Sequence, residues 1–499
     1  MPKQYIMAID QGTTSSRTII FDHAGRIVSS AQQEFTQHFP KPGWVEHDAA
    51  EIWAAQEKTI GQALARGKIK GGQIAAIGIT NQRETTVLWD RATGQPVCPA
   101  IVWQCRRTAP ICDALKKQGL EMSVRSKTGL VIDAYFSGTK LKWMLDNHKG
   151  LRKQAAAGKL CFGAIDSWLV YKLSGGHTHK IEVSNASRTM IFNIKKLKWD
   201  KDLLEALTIP SAVLPEVCES SGPIALTRGV RGLPDGIPVA GIAGDQQAAL
   251  FGQACYAQGA GKCTYGTGAF LLMNTGDKPV ASKSGLLTTV GWQIGGKTTY
   301  ALEGAVFICG AVIQWLRDGL EFFKDAKQSE ALAASVPDSG GVYLVPAFVG
   351  LGAPHWDMYA RGAMLGVTRG TTRAHVTRAA LESMAFQVTD LVRAMQADSG
   401  IKPKFLNVDG GAVANNFLMQ FQADVLGVPV NRPKIIETTA LGAAFLAGLG
   451  AGYWSGMKEL TAVRETQTLF KPAMKPAQRD RLLKGWHKAV DRAKNWEDA

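Results

Sequence analysis

No hydrophobic run in this chain reaches the length of a membrane-spanning helix, which needs ~20 apolar residues. The longest apolar-rich segments, residues 305–316 and 440–454, are shorter than that and are interrupted by glycine. The first residues, MPKQYIMAIDQG, contain only a short apolar stretch that ends at Asp10, so they lack the hydrophobic core of a secretory signal. These absences favour a soluble, cytoplasmic protein.

Cysteine is scarce and scattered. The eight cysteines form no CxxC pair and have no histidine partner at the spacing of a zinc finger, which excludes the common structural zinc sites. Long polar and proline-rich tracts are also missing, and the 45% hydrophobic and 20% charged residues are those of a globular protein. At roughly 100 to 200 residues per domain, a chain of 499 residues predicts two sizeable domains.

Acidic residues are fewer than basic ones, 42 against 57, which gives a formal net charge of +15. A basic surface attracts phosphate and is one feature of nucleic-acid-binding proteins. The lysines and arginines are spread along the whole chain, however, and no helix-turn-helix, zinc-finger or RNP pattern accompanies them. We therefore expect no nucleic-acid partner, and we interpret the charge as a solvated surface that favours capture of an anionic nucleotide.

Two similar patterns of strands and helices follow one another along the chain. Residues 5–35 alternate as a β-meander should, and a helical pattern over 49–65 and a buried-strand pattern over 74–80 follow. In the second half, strand-like runs begin again on both sides of a small Gly/Thr turn. We predict an α/β fold in two domains, residues 1–252 and 253–499, with the active site between them.

Turns rich in glycine and hydroxyl residues are the first candidate phosphate-binding features. In DQGTTSSRT, residues 10–18, Gly12 allows a tight turn, and the N–H groups and hydroxyls of residues 13–15 can converge on phosphate oxygens. TYGTG, residues 264–268, is the corresponding turn of the second half. Either turn alone also suits an ordinary hairpin, but two at equivalent positions indicate a nucleotide whose phosphates are held from both sides. The candidate residues are Thr13, Thr14, Ser15 and Thr267.

Two carboxylates follow strand-like runs. Asp10 comes after YIMAI and would hold Mg²⁺, which prefers one or two carboxylates together with water. Asp245 lies between VPVAGIAG and the helical run QQAALFG, where an aspartate either caps the helix or, if it faces a cleft, accepts the proton of a bound hydroxyl. Because ligands in open α/β sheets gather at the carboxyl ends of the strands, both residues are predicted to lie in the active site.

Glycines near two predicted helix starts are candidates for nucleoside binding. Gly410 and Gly411 follow the strand FLNVD and precede a helix, where glycine lets a ligand approach the backbone closely. Gly310 and Gln314 are four residues apart on the predicted helix CGAVIQWLRDG and share one face, which suits adenine or ribose. From the spacing alone, simple helix packing is the favoured interpretation of this second pair.

Two longer runs resemble the signatures of a known family. YFSGTKLKWMLDN, residues 135–147, and GAMLGVTRGTTRAHVTRAALE, residues 362–382, closely resemble the two signatures of the FGGY carbohydrate kinases. DQGTTSSR, NQRET, GDQQAALFGQ and DGGAVANN resemble runs of the branch of this family that phosphorylates glycerol, and the resemblance extends from Asp10 to at least Ala444. It implies the fold of the actin, hexokinase and heat-shock chaperone superfamily, with two ribonuclease H-like domains that close over ATP.

The resemblance also implies a reaction and roles for individual residues. The reaction is the ATP-dependent phosphorylation of glycerol to sn-glycerol 3-phosphate, with Asp245 as the base, Arg17 and Asp10 as further catalytic residues, and Mg²⁺ at Asp10 and Asp245. The residues implied to contact glycerol are Arg83, Glu84, Trp103, Tyr135, Asp245, Gln246 and Phe270. Those implied to contact the nucleotide are Thr13, Thr14, Ser15, Arg17, Thr267, Gly310, Gln314, Gly411 and Asn415.

The sequence leaves two other functions open. A kinase of the same family that acts on a pentulose or on gluconate would share the signatures but not the set of residues that fits glycerol. A non-catalytic, actin-like nucleotide switch would leave that set unexplained. Outside the NQRET context, Arg83 and Glu84 also fit a solvated surface pair. For the quaternary structure we expect a homodimer or a homotetramer.

Overall fold

The computed structural model describes residues 3–497 of the chain. Within these described residues, the first half contains nine α-helices and fourteen strands, with 3₁₀ turns at Gly71–Gln73 and Ser211–Val213. The strands β1 to β14 are, in order, Tyr5–Gln11, Ser15–Phe21, Ile27–Glu34, Glu46–His47, Ile74–Asn81, Val87–Asp90, Ala100–Ile101, Leu160–Gly163, Lys180–Glu182, Phe192–Asn193, Lys198–Trp199, Glu216–Cys218, Ser221–Leu226 and Pro238–Gly244. The helices α1 to α9 are Ala49–Gly67, Ala109–Lys117, Glu121–Thr128, Ser137–Asn147, Leu151–Ala156, Ile165–Leu173, Val183–Ala186, Lys201–Ala206 and Asp245–Gly252.

The second half continues the alternation, with a further 3₁₀ turn at Gly411–Ala414. Its strands β15 to β23 are Gly261–Tyr265, Ala269–Gly276, Leu287–Ile294, Lys297–Val306, Tyr343–Val345, Ala363–Leu365, Leu406–Asp409, Val430–Pro433 and Thr466–Phe470. Its helices α10 to α16 are Gly310–Asp318, Gln328–Ala334, Arg373–Ser399, Asn416–Leu426, Thr438–Gly450, Met457–Val463 and Pro476–Ala493.

The local sequence explains the first elements well. The apolar residues of β1 are fully buried because the strand lies inside the sheet, antiparallel to β2 and parallel to β5. The helix α1 begins after Asp48, whose carboxylate accepts a hydrogen bond from the N–H of Ala50 at 2.8 Å. Its side chains Ile52, Ile60 and Leu64 follow helical spacing and pack into the core beneath the sheet.

Thirteen strands form one continuous sheet in the order β23-β22-β21-β15-β16-β18-β17-β13-β14-β5-β1-β2-β3. In the first half, the antiparallel β3, β2 and β1 are followed by β5 and β14, which run parallel to β1. In the second half, the antiparallel β18, β16 and β15 are followed by the parallel β21 and β22. The predicted repetition of the α/β pattern is confirmed. The halves of the sheet meet where β13 pairs with β17 at Ser221 and Ile294.

The helix α14 belongs to the second half by sequence but packs against β1, β5 and β14 of the first half and against α9. The contact depends on glycine. A Cβ atom at Gly78 would overlap the carbonyl oxygen of Ala443, and one at Gly442 would overlap the carbonyl oxygen of Ala248. The backbone of α14 therefore approaches those of β5 and α9 more closely than a residue with a side chain would permit.

The longest helix is α12, with 27 residues. Its residues from Val376 to Val392 are almost all buried in the core of the second half, and the charged Glu382 is among them. In the part of the chain that the structure describes, no helix combines the length and the apolar character that crossing a membrane requires.

Candidate active site

The carboxyl ends of three parallel strands meet at one edge of the sheet. Asp10 on β1 lies opposite Thr80 on β5, and Gly244 at the end of β14 lies opposite Asn81. Asp10, Arg83 and Asp245 therefore emerge from neighbouring strands at the same edge, which is where ligands bind in open α/β sheets. Residues more than 230 positions apart in sequence are brought together in this way.

Asp245 is the first residue of α9, and Gly244 occupies the cap position before it. The carboxylate does not cap the helix. Its Oδ1 accepts a hydrogen bond from the N–H of Gln246 at 2.7 Å and lies 3.2 Å from Nε of Arg83. No described residue hydrogen-bonds its Oδ2, and 33% of the side chain is exposed. Enclosure at the floor of the site raises the pKa of Asp245, and the positive charge of Arg83 is the largest opposing influence.

Arg83 and Glu84 are almost fully buried, so the interpretation as a solvated surface pair is wrong. Arg83 donates two hydrogen bonds to Glu303, at 2.6 and 2.9 Å. Glu84 accepts a hydrogen bond from Nε of Arg188 at 2.6 Å. The backbone of Glu84 has a φ of 60°, a left-handed conformation that is costly for a residue with a side chain and that is concentrated at functional sites.

The aromatic candidates Trp103 and Tyr135 lie beside this polar cluster. Their rings pack edge to face with centroids 5.6 Å apart, and both are partly exposed. The indole Nε1 of Trp103 donates to the hydroxyl of Thr13 at 3.0 Å, so the aromatic wall is tied to the first glycine-rich turn. Burial raises the pKa of the Tyr135 hydroxyl far above its ordinary value, so this group acts as a neutral donor and acceptor.

Gln246 is hydrogen-bonded to a buried lysine, Lys262 of β15, and Phe270 lies on the adjacent strand β16. Nζ of Lys262 donates to Oε1 of Gln246 at 2.5 Å and to the hydroxyl of Thr264 at 2.8 Å. Phe270, partly exposed on β16, pairs with Thr264 across the β15–β16 ladder. Burial lowers the pKa of Lys262, and Asp409 opposes that effect most strongly. Lys262 thus connects Gln246 of the first half to Thr264 of the second half.

The first glycine-rich turn is held by backbone and side-chain bonds. The backbone N–H of Gly12 donates to the carbonyl of Ser15 at 3.0 Å, and the side-chain amide of Gln82 donates to the carbonyl of Gly12 at 3.2 Å. Thr14 is exposed, whereas the hydroxyl of Ser15 is buried and accepts a bond from Gln32 at 3.0 Å. Of the hydroxyl residues predicted here, Ser15 has its side chain already engaged inside the protein.

Arg17 extends beside this turn and joins two carboxylates. One nitrogen of its guanidinium lies 2.9 Å from Glu437, at the start of α14, and another lies 3.7 Å from Asp10. Burial raises the pKa of Asp10 to about 6, and the largest opposing influence is the charge of Arg17. Glu437 and Asp245 add to the increase. This region is therefore rich in negative charge that a cation would neutralise.

The second glycine-rich turn lies between β15 and β16 and abuts the start of α10. Gly266 and Thr267 are exposed, and their carbonyl groups accept the N–H groups of Cys309, Gly310 and Ala311 at 2.8 to 3.1 Å. A Cβ at Gly310 would lie 2.6 Å from the carbonyl oxygen of Gly266. Gly310 thus permits contact between turn and helix, and Gln314 is exposed one helical turn further on.

Gly410 and Gly411 have different structural roles. Gly410 has a φ of 91°, and a Cβ there would lie 2.5 Å from the carbonyl oxygen of Tyr265, so only glycine fits. Gly411 is exposed and opens a 3₁₀ turn instead of the long helix that the sequence predicts directly after it. That helix, α13, begins after Asn415, whose side chain accepts the N–H of Leu418 at 2.9 Å.

The donor set fits Mg²⁺ better than a transition metal. Asp10 and Asp245 offer carboxylate oxygens at the ends of β1 and β14, the strands on either side of β5, and Mg²⁺ takes one or two carboxylates and completes its shell with water and phosphate. Within residues 3–497, no group of three or more His, Cys, Asp and Glu side chains is arranged to hold a metal ion. Two carboxylates of this kind suit a cation that shares its remaining ligands with water and the phosphates of a nucleotide.

The sequence did not identify Glu303, Arg188, Lys262 or Glu437 as site residues. Glu303 and Arg188 are charged residues in mainly apolar or small-residue segments, YALEGAV and SNASRTM. A charge in a segment of this kind requires a buried partner, and that requirement is the one signal that was available.

Comparisons with known proteins agree on the family. Residues 5–252 match the model of the FGGY family of carbohydrate kinases, N-terminal domain, and residues 261–451 match that of the C-terminal domain. The chain is 62% identical to glycerol kinase of Carboxydothermus hydrogenoformans over 100% of this chain and 99% of that one. It is 61% identical to glycerol kinase of Petrotoga mobilis over 99% of both chains.

Solved structures agree on the fold as well. A crystal structure of Plasmodium falciparum glycerol kinase with ADP is 35% identical, covers 98% of both chains and has a TM-score of 0.93. A gluconate kinase from Lactobacillus acidophilus has a TM-score of 0.85 at 24% identity over 98% of this chain and 97% of that one, which shows the fold alone. The predicted actin-like, two-domain α/β fold is confirmed. This chain belongs to the FGGY family of carbohydrate kinases.

Proposed function

We propose that this kinase transfers the γ-phosphoryl group of ATP to glycerol and releases sn-glycerol 3-phosphate and ADP. The observation that carries the proposal is the free Oδ2 of Asp245, which faces the site beside the buried Arg83–Glu84 cluster and the Trp103–Tyr135 wall. The full-length relatives named glycerol kinase support the choice of substrate.

A three-carbon triol matches the polar and apolar surfaces of the site. Arg83, Glu84 and Gln246 offer donors and acceptors to hydroxyl groups, and the rings of Trp103 and Phe270 suit the carbon backbone. Because Arg83 and Glu84 are desolvated, a substrate that lacks one of the hydroxyl groups would leave a buried polar atom unpaired. The site therefore selects polyols by their pattern of hydroxyl groups.

The nucleotide would bind along the two glycine-rich turns. It would also contact Gly410 and Gly411, which begin the segment that precedes α13. Glycine-rich backbone and exposed hydroxyl residues such as Thr14 and Thr267 suit phosphate oxygens, and Gly410 brings the two segments of the second half together. The residues proposed to contact the nucleotide are Thr13, Thr14, Ser15, Arg17, Thr267, Gly310, Gln314, Gly411 and Asn415.

In the proposed mechanism, Oδ2 of Asp245 accepts the proton of the attacking hydroxyl as the oxygen–phosphorus bond forms. Arg17 neutralises charge on the transferred phosphoryl group, and closure of the site keeps water from competing with glycerol. Asp10 and Asp245 would hold Mg²⁺. When bound, this ion supplies neutralisation of the phosphate charge.

Further features of the chain remain proposals. We place the domain boundary after Gly252, with residues 1–252 and 253–499 as the two domains and with α14 as an element of the second that completes the core of the first. The cytoplasmic location and the assembly into a homodimer or homotetramer stay predictions from the sequence.

A direct test measures phosphorylation of glycerol, xylulose and gluconate by the purified protein, with γ-labelled ATP. We expect labelled product with glycerol only. Efficient phosphorylation of xylulose or gluconate without glycerol would assign a different substrate to the same fold. ATP-dependent polymers and no labelled product would instead support the nucleotide switch.

A further inference from the structure

We infer that Glu303 and Arg188 are positioning residues of the polyol site, which fix the orientation of Arg83 and Glu84. This inference rests on the proposed function, since it concerns the residues proposed to bind glycerol. Neither Glu303 nor Arg188 belongs to the edge of the sheet formed by β1, β5 and β14. Glu303 lies on β18 of the second half, between Leu272 of β16 and Leu287 of β17.

Glu303 holds Arg83 with both carboxylate oxygens. The bonds from Nη1 and Nη2 of Arg83, at 2.6 and 2.9 Å, form the parallel, two-point pair that fixes a guanidinium most rigidly. Only the Nε side of Arg83 then points toward Asp245, at 3.2 Å. The amide oxygen of Gln247 accepts a third bond from Nη1, at 3.3 Å. Arg83 is thus fully engaged on the face away from Asp245.

Arg188 connects this pair to Glu84. Its Nε donates to Oε1 of Glu84 at 2.6 Å, and its Nη2 donates to Oε1 of Glu303 at 3.2 Å. Among the described residues, none hydrogen-bonds Oε2 of Glu84, so this oxygen is available to a hydroxyl group. The four side chains are at most 3% exposed and carry two positive and two negative charges.

The charge balance explains why both residues are needed. Removal of the Glu303 carboxylate leaves the buried Arg188 paired with Glu84 alone, and it leaves Arg83 with Glu84 at 3.9 Å and Asp245 at 3.2 Å from its Nε. The nearest other carboxylate to Arg83 is that of Asp245, which its Nε already approaches. We expect Arg83 to turn and form the two-point pair with Asp245. In that position Arg83 no longer donates a hydrogen bond to the polyol. It also pairs with the carboxylate of Asp245, the proposed base.

Loss of the Glu303 carboxylate should affect the kinetics of glycerol more than those of ATP. A variant without the Glu303 carboxylate should bind glycerol more weakly and turn it over more slowly, while the backbone of the two glycine-rich turns keeps its structure. For Glu303→Gln we expect KM for glycerol to rise about 10- to 100-fold and kcat to fall, since hydrogen bonds to charged groups are lost. KM for ATP should stay within about twofold of wild type.

The test measures both KM values, kcat and thermal stability for wild type, Glu303→Gln, Glu303→Asp, Arg188→Lys and Glu382→Gln. Glu382 is the matched control because it is equally buried, pairs with Arg378 at 2.8 Å and lies on α12 outside the site. Glu382→Gln should lower stability and leave KM for glycerol unchanged. Glu303→Asp keeps the charge and should recover part of the affinity for glycerol.

Arg188→Lys extends the test if Glu303→Gln fails to fold. Lysine keeps the charge but cannot bridge Glu84 and Glu303 with one planar group, so KM for glycerol should rise while KM for ATP does not. Parallel changes in both KM values, or a wild-type KM for glycerol in the variants that fold, would overturn the inference. If the wild-type protein does not phosphorylate glycerol, the proposed function itself fails, and that result is read from the wild type alone.

Discussion

The two halves of the sheet end in edges of different chemistry. The first half places charged side chains at or just beyond its strand ends, with Asp10 near the end of β1, Arg83 after β5 and Asp245 after β14. The second half places glycine just beyond two of its strand ends, with Gly266 after β15 and Gly410 after β21. One architecture is thus used twice, once to hold reactive groups and once to bring backbone close to a ligand.

This difference indicates that the two halves of a repeated fold can take different functional roles. A strand end fixes the direction of a side chain, so a carboxylate there is well placed for proton transfer. Glycine at a strand end gives up that side chain and lets neighbouring backbones and a ligand come close. Substitutions at the first edge should therefore affect turnover, whereas those at the second should affect stability and nucleotide binding.

Asp245→Asn gives the largest expected effect, a fall in kcat of about 10²- to 10⁴-fold, because the amide cannot accept the proton of the hydroxyl group. Steady-state assays at saturating glycerol and ATP measure it. The matched control is Asp277→Asn, the same change at an exposed carboxylate of the second half, which should leave kcat unchanged. Turnover of Asp245→Asn within tenfold of the control would place the base elsewhere.

Arg17→Ala should lower kcat by about 10²- to 10³-fold, since one charged donor to the transferred group is removed. The matching change at the second edge, Thr267→Ala, removes one neutral hydroxyl and should cost only about fivefold to tenfold, mainly in KM for ATP. Parallel kinetic analysis of both variants decides whether the edges differ. Equal losses in kcat would contradict the division of roles.

Gly410→Ala should lower the free energy of unfolding by at least about 1–3 kcal/mol, because it forces a side chain into a left-handed backbone. The new methyl group would also lie 2.5 Å from the carbonyl oxygen of Tyr265. Its neighbour provides the control. A Cβ at Gly411 meets no atom within 4 Å, so Gly411→Ala should leave stability unchanged. Chemical denaturation of the two variants measures the difference, and equal stability would show that the second edge tolerates side chains.

The pH dependence of stability should reflect a buried acid of α6, Asp166. Burial raises the pKa of Asp166 to about 8, and Oδ1 of this side chain is buried without a hydrogen bond. The folded protein thus retains a proton that the unfolded chain releases near pH 4, so the stability contributed by protonated Asp166 is lost as the pH rises from about 4 to about 8.

Asp166→Asn should therefore be more stable than wild type at pH 8, with little difference at pH 4. Melting temperatures across this range measure the effect. A constant difference at all pH values would show that Asp166 does not titrate between the folded and unfolded states.

The sequence predicts the fold better than it predicts the interior of the site. Hydrophobic alternation and helical spacing identify β1, α1 and β5 because these patterns are local. The charge cluster is not local: Arg83 and Glu303 are 220 positions apart and belong to different halves. No pattern near either residue reveals the pair, and for the same reason the burial of Glu84 could not be predicted.

The glycines of the second half are a further feature that the sequence predicts only in part. The DGG run correctly indicated a place of close backbone approach, but it could not separate Gly410 from Gly411. The positive φ and the contact with Tyr265 arise only when β15 and β21 lie side by side. The helix start was displaced as well, because Asn415 caps α13 after an intervening 3₁₀ turn.

The position of α14 has a consequence for the folding of the chain during synthesis. Strands β1, β5 and β14 are complete once residue 244 has been made, yet the apolar face that they share with α9 is covered by a helix that begins at residue 438. Until that helix emerges from the ribosome, residues such as Ile6, Ala8 and Phe251 lack their final cover. We therefore expect the first half to reach its native state only after nearly the whole chain has been translated.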